Sequence, residues 1–123
     1  ILASRNALAD RYGEALREIP GLVPPHVPEG TRTNYQSYPV RGTAEFPISR
    51  DALMQAMLER GVSSRRGIMN AHQEGAYAGS GPFDLPQSES ARDGVILLPL
   101  YDSLPVDDQD YVIDCLRELS ATN

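Results

Sequence analysis

The most apolar run in the chain, "VILLPL" at 95–100, is only six residues long, and its length is the tightest constraint on the fold. It is too short for a helix, partly β-branched and closed by proline, so it reads as a buried strand. A strand apolar on both faces needs cover, and three stretches of helical period can supply it. In the first, spanning 1–18, apolar residues recur at Ile1, Leu8, Tyr12, Ala15 and Leu16 and continue to Ile19, until Pro20-Gly21 stops the helix. In the second, "RDALMQAMLERG", Ser49 is the expected N-cap and Asp51 favours the first turn. Leu53, Met54, Met57 and Leu58 form the expected buried stripe, and Gly61 stands just past the end. In the third, "LPVDDQDYVIDCLREL", Pro105, Asp107 and Asp108 mark the start and Val112, Ile113, Leu116 and Leu119 the inner face.

Between the helices lie shorter signals. "PGLVPPHVPEGT" has four prolines and two glycines in twelve residues, an ordered or semi-rigid connection. "TNYQSYPV" alternates as a strand, with Tyr35, Ser37 and Pro39 on one face and Asn34, Gln36, Tyr38 and Val40 on the other. Pro39 limits that strand to an edge or an end. Val62 to Arg66 reads as a short strand, "HQEGAYAGSGPFD" at 72–84 as glycine-rich loop, and "LPQSESARDG" as a short helix with Pro86 in its first turn. The order α–β–α–β–α–β–α implies a two-layer α/β (α+β) sandwich, a small three-stranded and mainly antiparallel sheet with helices packed on it. At 123 residues the chain is one domain.

Composition narrows the function. A net charge of −6 and the lack of an aromatic-interleaved basic stripe argue against nucleic acid. No run approaches the length of a membrane span, and no secretory signal is visible, so a reducing cytoplasm is the expected compartment. The single cysteine, Cys115, falls on the apolar side of the last helix and is expected as a small buried thiol. One cysteine and two distant histidines give no metal spacing. The chain has no lysine, its eleven basic residues all being arginine, so no side-chain amine can form a Schiff base. It opens on Ile1, inside a helical pattern, which reads as a piece cut from a longer polypeptide.

Chemistry-bearing residues gather at 64–77, "SRRGIMNAHQEGAY". Arg65 and Arg66 with His72 could hold a carboxylate or phosphate. Neighbours in a strand point to opposite faces, however, so one arginine at most meets a given ligand. His72 and Tyr77 could form an acid/base or orienting pair, or be ordinary loop residues. Gln36 with Asn34 and Tyr38 suits hydroxyl-rich ligands or cross-strand hydrogen bonds. "GSGPFD" matches no phosphate loop, and no nucleophile–base set is present.

Taken in order, these pieces resemble the C-terminal small domain of the DegT/StrS family of pyridoxal-phosphate-dependent aminotransferases acting on nucleotide-linked sugars. "RNALADRYGEALREIPGL" is similar to the family's domain-connecting helix and "NYQSYPVR" to its first small-domain strand. "RDALMQAMLERGVSSRRGIMNAHQEGAY" is similar to the helix, strand and loop that follow, and the stretch from Leu85 to Leu119 to the family's ending. The resemblance implies a connecting helix at 1–19, a loop at 20–32 and an α/β domain at 33–123 of a fold type I enzyme. It further implies an N-terminal domain carrying pyridoxal phosphate on a lysine absent from this chain, and a homodimer with sites at the interface. The substrates would be an amino-acid donor, glutamate expected, and a keto-sugar nucleotide. The substrate-binding residues it implies are His72, Gln36, Tyr35 and Arg66, with histidine replacing Gln36 in many relatives. A dehydratase branch of the family and a free-standing binding module are the alternatives. If the chain is a fragment, Ile1, Leu8, Tyr12 and Leu16 are expected to form an exposed, adhesive helix face.

Overall fold

In the computed structural model, residues 2–30, 35, 37–67 and 93–121 are described. Their order is α1 (Leu2–Leu16), β1 (Leu22–Val23), β2 (Tyr38–Gly42), α2 (Arg50–Glu59), β3 (Arg65–Arg66), β4 (Val95–Leu98) and α3 (Val106–Ser120). The strands form one sheet in the order β1-β2-β4-β3, with every neighbouring pair antiparallel. The short helix expected at 85–94 lies outside the described residues except for Asp93 and Gly94, which are helical.

The apolar run does what its length requires. In the β2–β4 register Tyr38 faces Leu98 and Val40 faces Ile96. Paired residues share a face in an antiparallel ladder, so these four side chains form one buried patch. All three helices cover that patch: Tyr12 and Leu16 of α1, Leu53 and Met57 of α2, and Val112 and Leu116 of α3 join it in one core. Each such side chain contributes about 1.5–3 kcal/mol by leaving water. The result is the two-layer sandwich, with four strands rather than three. The extra strand, β1, is two residues long and sits between Gly21 and Pro24, where proline and glycine mask its signal.

Pro39 stands opposite Leu97, whereas β1 pairs only with Arg41 and Gly42. The proline therefore occupies the part of β2 that β1 does not reach, as its missing N–H demands. Gly21 starts β1 at φ +88, and a Cβ there would lie 2.4 Å from the Phe46 backbone nitrogen. Both conformation and space restrict this position to glycine.

α2 begins as expected, with the Ser49 hydroxyl accepting from the Ala52 N–H at 3.2 Å. It ends in a Schellman arrangement: Gly61 at φ +82 donates to the Leu58 carbonyl and Val62 to the Met57 carbonyl, both at 2.9 Å. That turn places Val62 over the core and leaves Leu58 59 % exposed, so the buried stripe is narrower than the sequence implies.

The adhesive face expected on α1 is not there. Leu8, Tyr12 and Leu16 are buried, the last two in the core shared with the sheet and α3, because the helix lies on the domain rather than beside it; Ile1 is outside the described residues. A buried glutamine joins the two helices. Gln109 of α3 is fully buried, donates to the Leu8 carbonyl at 2.7 Å and accepts from Arg11 at 3.2 Å. The adjacent Asp110 takes Arg11 at 2.6 Å. Cys115 is buried, as its place on the helix predicts.

Candidate functional site

Of the four residues singled out for substrate binding, Tyr35 and Arg66 are described, and His72 and Gln36 lie outside the described residues, as does Tyr77. Tyr35 departs from the expected strand. Its φ of 46 lies in the left-handed region, unusual for a bulky side chain, and β2 begins only at Tyr38. The break in alternation carries its ring away from the Ser37–Pro39 face. The ring lies instead beside Tyr38, with centroids 5.9 Å apart, and Tyr38 in turn packs on Tyr12 at 5.0 Å. The Tyr12 hydroxyl donates to the Pro99 carbonyl at 2.6 Å.

Tyr35 and Tyr38 of this row close one side of a cavity of about 350 Å³ between α1 and the proline-rich loop, with Tyr12 buried behind them. Asp10, Glu14, Arg17 and His26 complete its polar lining. Burial raises the pKa of Tyr35, and Asp10 adds to the shift. Burial likewise raises Tyr38, with Tyr35 and Asp10 adding and Arg17 opposing. The phenols are therefore neutral at physiological pH, able to donate and accept hydrogen bonds but not to act as bases. The cavity suits a polar ligand with hydroxyl groups. His26 is the histidine the sequence reading passed over, since no spacing rule connects positions 10, 26 and 35.

The two arginines separate as strand geometry requires. Arg66 pairs with Ile96 and so stands toward the helices, where it lines a groove with Asp51, Met54, Gln55, Leu58 and Ser64. Arg65 pairs with Leu97 on the open face and lines a cavity of about 330 Å³ with Ser37, Leu97 and Pro99. Both are exposed. Thus Arg66 and Tyr35 line different hollows, and Arg65 shares its face with the residue following Gln36. Only the β3–β4 register reveals this. Gly67 fixes the end of β3, because a Cβ there would come within 2.3 Å of Val95 Cγ1. Among the described residues, no cluster of three His, Cys, Asp or Glu side chains is arranged for a metal.

Residues 1–117 match the family model described as the DegT/DnrJ/EryC1/StrS aminotransferase family. The chain belongs to this family. It is 34% identical over 101 residues to a dTDP-4-dehydro-2,3,6-trideoxy-D-glucose 4-aminotransferase of Saccharopolyspora spinosa, covering 81% of this chain and 25% of that enzyme. The aminotransferase TlmJ of Streptoalloteichus hindustanus superposes with a TM-score of 0.85 at 30% identity, over 98% of this chain and 32% of that one. DesV of S. venezuelae superposes with a TM-score of 0.85 at 29% identity, over 98% and 32%. The chain thus spans a quarter to a third of the length of these relatives.

The family's members depend on pyridoxal phosphate, a cofactor that serves as electron sink and is held through a lysine amine. With no lysine anywhere in its sequence, this chain cannot supply that attachment. What its own residues can supply is polar contact and shape.

Proposed function

We propose that this chain is the C-terminal small domain of an enzyme that moves an amine from an amino acid, glutamate expected, to a keto-sugar nucleotide. The domain makes no covalent step itself. It contributes substrate contacts and cover, while a large N-terminal domain of the same polypeptide carries the cofactor lysine, and two copies pair in the cytoplasm. The observation that carries the reading is the family match over 1–117 in a chain spanning only a quarter of its sugar 4-aminotransferase relative. Absence of lysine fits a division of labour in which the attachment lies elsewhere.

On this reading His72, Gln36 and Tyr35 contact substrate, and one arginine of β3 meets an anionic group, a task suited to its forked donors. Arg66 is the arginine the resemblance implies. The open face shared with Ser37 favours Arg65. The test is to purify the native polypeptide containing this sequence and record its length, visible spectrum and activity. The expected result is a several-fold longer, yellow protein that aminates a keto-sugar nucleotide at the expense of glutamate. Deoxygenation of the sugar without amine transfer would move the parent to the dehydratase branch. A native chain of this length alone, binding no cofactor, would overturn the proposal.

A further inference from the structure

Tyr35 holds a backbone conformation that is unfavourable for a bulky residue, so something must keep it there. One contributor is its ring, packed at a tilt against Tyr38. Another comes from α1: Arg5 Nη1 donates to the Tyr35 carbonyl oxygen at 3.3 Å. The same guanidinium is fixed from its other edge, where Nε pairs with Asp102 Oδ1 at 2.8 Å. Asp102 lies in the loop between β4 and α3, and its carbonyl accepts from the Ser4 hydroxyl at 3.0 Å. Three segments distant in sequence thus meet at one planar side chain, itself only 26% exposed.

We infer that Arg5 is a positioning residue: held by Asp102, it keeps Tyr35 in the left-handed conformation that turns the ring into the cavity beside Tyr38. Arginine suits the task because its fork can serve a carboxylate and a carbonyl at once, which a lysine ammonium on a flexible stem does less well. The bearing of this clamp on substrate rests on the function proposed above; the clamp itself does not.

A control is built into the same helix. Arg11 and Asp110 also tie α1 to α3, at 2.6 Å, with no contact to Tyr35 among those described. In the full-length protein, Arg5→Ala, Asp102→Ala and Arg11→Ala are compared by hydrogen exchange of the peptide containing Tyr35 and by steady-state kinetics. Arg5→Ala and Asp102→Ala should speed exchange there and raise the KM for sugar nucleotide about tenfold with a smaller change in kcat, and Arg11→Ala should do neither. Arg5→Lys should restore part of the loss. The second arm places Arg5→Ala on Tyr35→Gly, which takes positive φ without strain, and on Tyr35→Asn should the glycine variant fail to fold. In either background removing Arg5 should add little to the local exchange rate.

Equal effects of Arg5→Ala and Arg11→Ala, or an Arg5 effect undiminished in the Tyr35→Gly or Tyr35→Asn background, would overturn the clamp. Coupled exchange in a protein with no aminotransferase activity would uphold it and defeat the proposed function instead.

Discussion

The two ends of the sheet are built on different principles. At the α1 end three tyrosines stack in a row, a glutamine is fully buried with both of its ends engaged, and two arginine–aspartate pairs tie α1 to neighbouring segments. At the β3 end a strand of two exposed arginines runs beside an exposed Leu58, and the buried Ser64 hydroxyl has no hydrogen-bond partner among the described residues. One end is determined by packing, so a residue there can be held in an unfavourable conformation. Among the described residues the other is held by the β4 ladder, and its two arginines are exposed to meet a ligand. Rigid placement and exposed charge are therefore separated across one small sheet.

The largest way to break this contrast is in the aromatic row. Tyr12→Ala should cost about 3–5 kcal/mol in denaturant unfolding, against about 0.5 kcal/mol or less for Leu58→Ala at the open end. Equal losses would mean that the core extends under α2 as fully as under α1.

Alkali should break the same end next. Burial is the main reason that the pKa values of Tyr12 and Tyr38 stand above the ordinary 10. The unfolded chain therefore loses these protons first. The stabilisation is fully present below pH 10 and declines as pH rises from there through the folded-state values. Tyr12→Phe and Tyr38→Phe should each flatten the decline in a pH series of unfolding midpoints, and an unchanged slope in both would show that these phenols do not govern it.

A smaller loss is expected from Gln109→Leu, about 1–3 kcal/mol, since it leaves the Leu8 carbonyl without its buried donor and removes one of the two acceptors of Arg11. Stability matching the parent would show that the bridge is worth no more than the apolar contact replacing it. The finest distinction is at β3. Arg65→Ala should raise the KM of the parent enzyme for its anionic substrate about tenfold, whereas Arg66→Ala should change it little. The opposite ranking would put the substrate on the helix side of the sheet.

The contrast also explains which parts of the molecule were legible in its sequence. Helices announce themselves through period and caps, so Ser49, Gly61 and the inner face of α3 fall where they should. Leu58 misleads because the period fixes a direction but not the width of the stripe, which the turn at Gly61 trims. β1 is hidden because two residues between prolines and glycines carry no alternation to count. Tyr35 is misread because alternation assumes an extended backbone, and only tertiary contacts can hold a tyrosine at positive φ. Arg65 and Arg66 are correctly separated by strand geometry, but which of them meets the open face depends on the register with β4. Local chemistry writes the elements, and the site lies where distant elements meet.

The shortness of β1 has a further consequence. A sheet grows by adding strands to its free edges, and here β1 offers two residues before the chain runs into Pro24 and Pro25. Just inside, Pro39 presents no N–H where β1 has already ended. An invading segment would find too few groups in line to begin a ladder. On the β1 side the sheet is thereby made finite, a built-in safeguard against growth from domain to domain into a fibre.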